Sequence, residues 1–224
     1  MNYLALIGAV VLGVLIVILL NPGKKLIRLL LAFSGAYLLS VTILHLLPEV
    51  YTSSQSHHSI GIFILSGIIL QFILESFSKG AEHGHIHIDK HTDSFPILLF
   101  ISLCIHSFTE GLPIHEGDSN LLWAIMIHKI PIAIVLSTFL FHSEIKKNTS
   151  YILLTLFALM SPLGVWAGDQ IPLMITYSTQ INAIIIGVFL HISTVILFES
   201  TENHKFNLQK FTVILFGILL AILT

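Results

Sequence analysis

His106 and Glu110 stand four residues apart in the stretch Cys104-Ile105-His106-Ser107-Phe108-Thr109-Glu110-Gly111-Leu112-Pro113. That spacing puts both side chains on one face of a helix. The apolar segment around them, from about Phe95 to Pro113, is long enough to enter a bilayer. An imidazole and a carboxylate at that depth are costly and mark a functional site by default. A second apolar segment carries His128-Lys129-Ile130-Pro131, so two helices can offer three ligands to one divalent cation. Two neutral imidazoles and one carboxylate suit zinc, ferrous iron, cobalt or manganese. Cys104 precedes His106 by two residues and points elsewhere on the helix, which argues against a copper(I) site. Three protein ligands also leave a position for water, as fits a cation that must depart. The plainer alternative is a buried His106–Glu110 hydrogen bond that locks two helices. His128 weighs against it by adding a third group of the right type.

The elements that must position these groups are spans. The chain has 224 residues, 55% hydrophobic and 10% charged, with a mean hydropathy of +0.93. Soluble domains carry about 25% charged residues, so this is the composition of an all-α polytopic membrane protein. A formal charge of −2 provides no basic face and excludes nucleic acid as a partner. One cysteine allows no intramolecular disulfide. Eight transmembrane helices are expected: about Tyr3–Leu20, Leu26–Leu47, Ile60–Phe77, Phe95–Pro113, Leu121–Phe141, Tyr151–Ala167, Ile181–Phe198 and Phe211–Thr224. The first is read as a retained helix and not a cleaved signal peptide, because basic residues follow it and none precedes it. Residues 1–224 then form a single transmembrane domain.

Nine of the ten cationic residues, Lys24, Lys25, Arg28, Lys79, Lys90, Lys146, Lys147, Lys205 and Lys210, fall on one side of these spans. The positive-inside rule makes that side cytoplasmic and puts both termini outside. The tenth, Lys129, is inside a span. An echo between Gly35-Ala36-Tyr37-Leu38 with Leu46-Leu47-Pro48-Glu49 and Gly187-Val188-Phe189-Leu190 with Ile196-Leu197-Phe198-Glu199 suggests a 3+2+3 inverted repeat. On this topology Glu110 lies within about seven residues of the outer end of its span, and His128 about seven inside its own. At about 1.5 Å per residue the two reach similar depth.

Thirteen histidines outnumber lysine and arginine together. His83, His85, His87 and His91 lie in a cytoplasmic loop over residues 79–94, where a His-rich tract suggests loose, exchangeable metal binding. His45 and His191 are either packing histidines or secondary ligands along a path. His115, Glu116 and Asp118, with His57 and His58, lie at the outer mouth and could concentrate cations. Glu75 and Asp169 fall near span ends, where a solvated role is expected. Pro113 and Pro131 each follow a proposed ligand by three residues and remove a backbone donor, which suggests a hydrated path.

These residues resemble those of ZIP-type (Zrt-, Irt-like) divalent metal transporters. His106-Ser107-Phe108-Thr109-Glu110-Gly111 is similar to the family's fourth-helix motif, and His128-Lys129-Ile130-Pro131 to its fifth. Leu44-His45-Leu46-Leu47-Pro48-Glu49 resembles the end of the second helix, and Met160-Ser161-Pro162-Leu163-Gly164 the sixth. The resemblance implies metal ligation by His106, Glu110 and His128 and an elevator-like movement of one helix bundle against another. His45, Glu49, Ser107, Lys129, His191 and Glu199 are candidate secondary or pathway residues. The chain departs from the family's second-metal pattern at Ile132, Lys129 and Ser161. An ammonium from Lys129 beside Glu110 is expected to occupy the electrostatic place of a second cation.

The expectation is therefore a transporter and not an enzyme, with no resident cofactor. It would carry zinc first, or iron or manganese, into the cytoplasm across a plasma or bacterial inner membrane. Its partners would be the metal and the lipid bilayer, and a homodimer is the candidate assembly. The absence of a Walker A motif leaves the gradient as the drive. An intramembrane metal-dependent hydrolase, with Glu110 as base, is the alternative; the absence of a His-Glu-x-x-His helix weighs against it. A metal sensor is a third option, without a soluble domain to signal through.

Overall fold

Inside a bilayer no water satisfies a backbone amide, so an apolar chain of this kind closes its hydrogen bonds within helices. The computed structural model describes residues 2–54, 56–78, 80, 97–115, 119–199 and 207–223. Every regular element among them is a helix. The loop histidines His83, His85, His87 and His91 lie outside the described residues, as do Glu116, Asp118 and the side chain of Glu199.

The helices are α1 (Asn2–Leu20), α2 (Lys24–Val41), α3 (Leu47–Thr52), α4 (His57–Ser78), α5 (Ile97–Gly111), α6 (Ser119–His142), α7 (Lys147–Gln170), α8 (Pro172–Thr176), α9 (Ser178–Glu199) and α10 (Leu208–Leu223). A π-helical turn, Thr42–Leu46, joins α2 to α3 in one 29-residue helix. Its cause lies just ahead of it. Pro48 has no N–H to give the carbonyl four residues back, and its ring crowds that turn, so the helix widens there.

Among the described residues six helices are long and apolar enough to cross a membrane, while α5 and α10 are shorter apolar helices. The protein is an integral membrane protein, and its surface agrees. Large apolar side chains such as Leu4, Leu19, Ile62, Leu65, Ile69 and Phe72 are exposed on α1 and α4, a display that water would penalise and lipid does not. Trp123 and Trp166 are both exposed, near the start of α6 and the end of α7. Such indole rings favour the membrane–water boundary.

The main pairings are α4 with α9, α1 with α6, α2 with α10, and α5 with α7. Small residues let these helices approach closely. At the α5–α7 crossing a Cβ on Gly111 would run into the Ser161 carbonyl, and one on Gly164 into the Phe108 carbonyl. No side chain can be added at either place without separating the two backbones. The pairing therefore fixes how α7 sits against the turn of α5 that ends at Glu110 and Gly111.

Span four is shorter than expected. Helix α5 stops at Gly111, and Leu112 and Pro113 form a turn. Glu110 is therefore the penultimate residue of its helix, nearer its end than the expected span implied. The reason is local: glycine ends a helix readily, and proline two residues later cannot continue it. Pro113 is a terminator here, whereas Pro131 and Pro162 lie inside α6 and α7. The non-helical Leu112, Pro113 and Ile114 are all buried in protein, the condition under which such backbone is tolerated at membrane depth. Leu112 N–H donates to the Thr109 carbonyl and Ile114 N–H to that of Gly111.

Candidate metal site

Three helices build the site. Helix α5 brings His106, Ser107 and Glu110 to one face, α6 brings His128 and Lys129, and α7 brings Phe157 and Ser161. Among these, the four ionisable side chains are at most 1% exposed. Oε1 of Glu110 lies 3.0 Å from His106 Nε2 and 3.7 Å from His128 Nε2. The two imidazoles meet edge to face, with centroids 6.1 Å apart at 84°. One ligand atom from each of His106, Glu110 and His128 can be chosen so that all lie within 4.8 Å of one another.

Those separations are close to what a small cation requires. Two ligands each about 2.1 Å from one tetrahedral zinc stand about 3.4 Å apart. The two carboxylate–imidazole distances bracket that value. The two imidazoles offer ligand atoms within 4.8 Å of each other, and their closure around an ion would bring three donors onto it and leave the fourth position for water.

The other carboxylate oxygen is already engaged. Lys129 Nζ donates to Glu110 Oε2 at 2.8 Å and to Ser107 Oγ at 2.9 Å, and lies 5.2 Å from the Phe157 ring centroid. Ser161 Oγ donates to the Ser107 carbonyl at 2.6 Å and lies 3.2 Å from Ser107 Oγ. A lysine in hydrocarbon costs roughly 2.5–3.5 kcal/mol on insertion scales. Here the carboxylate, the hydroxyl and the aromatic face together offset that cost. The carboxylate is thus divided, one oxygen toward the imidazoles and one toward the ammonium.

Other residues singled out by sequence lie elsewhere. His45 and Glu49 are exposed, on the π-helical turn and α3. His191 Nε2 lies 2.6 Å from Glu75 Oε2, joining α9 to α4, and Phe72 packs edge-on against the His191 ring. His115 Nδ1 lies 3.0 Å from Asp169 Oδ1. Glu75 and Asp169 are therefore paired, not merely solvated. Cys104 packs beside an apolar cluster that includes Leu103 and Ile132, outside the ligand set. Phe157 carries no sequence signal for its role, since a phenylalanine among apolar neighbours reads as ordinary packing.

Comparison with known proteins bears on the same stretch. The family profile described as ZIP Zinc transporter matches residues 81–224, which include His106, Glu110, His128 and Ser161. "Zinc transporter ZIP1" of Danio rerio is 38% identical over 97 residues, 40% of this chain and 32% of that protein. "Zinc transporter ZIP9" of Micropogonias undulatus is 25% identical over 164 residues, 65% of this chain and 52% of that protein. "Zinc transporter ZIP9-B" of Xenopus laevis is 27% identical over 121 residues, 49% of this chain and 39% of that protein. The chain thus spans between about a third and a half of these curated relatives. With the family profile covering more than half of its own length, the chain belongs to the ZIP zinc transporter family.

Proposed function

We propose that this protein carries a divalent transition metal, zinc first and iron or manganese as further candidates, across the membrane through His106, Glu110 and His128. One observation carries the reading: three donors of the right type from two helices converge in the buried interior of a membrane bundle. The relatives named as zinc transporters support the choice of metal. The metal is cargo, held by three protein groups so that water can complete its shell and help it leave.

Lys129 holds Glu110 Oε2 and occupies the place a second cation would take, so the site carries one metal at a time. With both oxygens of Glu110 engaged, a general-base role in hydrolysis is disfavoured, and family membership favours transport over that alternative. The bias of lysine and arginine supports an orientation with the two chain ends outside, and in this reading the metal moves from outside to the cytoplasm. In this arrangement α5 and α10 complete eight spans. The pairings of α1 with α6 and α5 with α7, and of α2 with α10 and α4 with α9, each match across a 3+2+3 inverted repeat. They also divide the helices into a body holding the site (α1, α5, α6, α7) and a supporting body (α2, α4, α9, α10). Sliding of one against the other is the elevator movement, with the α2–α6 and α4–α5 contacts as the surfaces that move.

Proteoliposomes containing the full chain should take up zinc saturably, with iron, manganese and cadmium as competitors. His128→Ala, which leaves the Lys129–Glu110 pair in place, and Glu110→Ala should each reduce uptake to that of protein-free vesicles. Saturable uptake that survives both substitutions would overturn the site.

A further inference from the structure

At the end of the bundle where α5 and α7 finish and α9 begins, a small cleft opens between the two bodies. It is lined by Leu112 and His115 from the segment after α5, by Met174 from α8, and by Ser178 and Asn182 from α9. His115 is the ionisable residue of this lining and is half exposed. Its Nδ1 is 3.0 Å from Asp169 Oδ1. A carboxylate at that distance holds the proton on Nδ1, and the other nitrogen, Nε2, then presents a lone pair. This is the arrangement by which carboxylates orient histidines that ligate zinc. Ser178 and Asn182 of α9, two residues with oxygen-bearing side chains, line the same cleft.

We propose that His115, oriented by Asp169, is an outer capture site for a hydrated divalent transition metal, with Ser178 and Asn182 as weak oxygen partners. The buried segment Leu112, Pro113 and Ile114 connects the helix of Glu110 to His115, and its first residue lines the cleft. One imidazole and two neutral oxygens hold a metal far more loosely than two imidazoles and a carboxylate. The capture site therefore raises the local concentration of metal without retaining it. Its role in uptake rests on the transport reading above; its existence as a binding site does not.

The test uses cobalt as the probe, followed by its visible absorption, with the full chain in detergent. His106→Ala weakens the buried cluster while keeping Lys129 paired with Glu110. Adding His115→Ala to that background should remove one further cobalt per chain, and adding Asp169→Asn should weaken that cobalt about tenfold. In zinc uptake, His115→Ala alone should raise KM about tenfold and leave Vmax unchanged. Identical cobalt titrations of the single and double variants would overturn the proposal, as would an equal fall in Vmax with no change in KM. If the parent chain shows no saturable uptake but the cobalt difference remains, the capture site stands and the transport reading falls.

Discussion

Two helix crossings in this protein are built alike and hold different things. At one, Gly111 and Gly164 bring α5 against α7; at the other, Gly67 and Gly187 bring α4 against α9. In both, a Cβ on either glycine would strike a carbonyl of the facing helix. At the α4–α9 crossing the closest residues are Ile64, Ile68 and Ile184, and the polar pair nearby, His191 with Glu75, joins the two helices to each other. Around the α5–α7 crossing the neighbours include Ser107, Glu110 and Ser161. Close backbone packing is therefore no sign of a site. It supplies rigidity, and the polar residues one turn away decide whether that rigidity orients ligands or only joins helices.

The largest effect that separates the two crossings should come from Lys129, which has no counterpart at α4–α9. Lys129→Met leaves Glu110 buried without its cation and should destabilise the protein by about 3–5 kcal/mol, measured by unfolding in detergent. Lys129→Ala, which also opens space, should raise the number of metals bound per chain from one to two. An unchanged stoichiometry together with unchanged transport would remove the second-cation role of this lysine. Next, Gly164→Ala and Gly187→Ala should each cost about 1–3 kcal/mol through overpacking. Only Gly164→Ala should also weaken metal binding in the folded fraction. Equal loss of affinity in both would erase the distinction. The smallest effect belongs to Ser161→Ala, which removes the bond to the Ser107 carbonyl and should cost about 1 kcal/mol. It should shift metal affinity less than Gly164→Ala does.

What the sequence disclosed was what depends on near neighbours. Hydropathy over about twenty residues located the apolar helices, and the i, i+4 spacing placed His106 beside Glu110. The convergence of His128 on that pair followed from residue type and approximate depth, although the depth argument misjudged where α5 ends. Gly111 and Pro113 carried that information and were read as part of a longer span. The pairings His115–Asp169 and His191–Glu75 were less legible, because they join residues 54 and 116 positions apart. Each partner alone reads as a boundary residue that water could serve. An ionisable group near a span end, matched by an opposite one at similar depth in another span, was the available signal. The π-helical turn before Pro48 had one too: Pro48 lies just past the expected end of span two, and where the helix runs on to Thr52 the proline must displace a hydrogen bond.

If the cluster moves as proposed, the lysine that neighbours His128 also sets the charge of its empty state. Glu110 and Lys129 contribute one formal charge of each sign, so with neutral imidazoles the emptied cluster is electrically neutral. A neutral group crosses a voltage difference without doing work against it, whereas an unbalanced charge would meet about 2.3 kcal/mol for every 100 mV. A carrier built on this cluster could reset at any membrane potential, with no companion ion for the return.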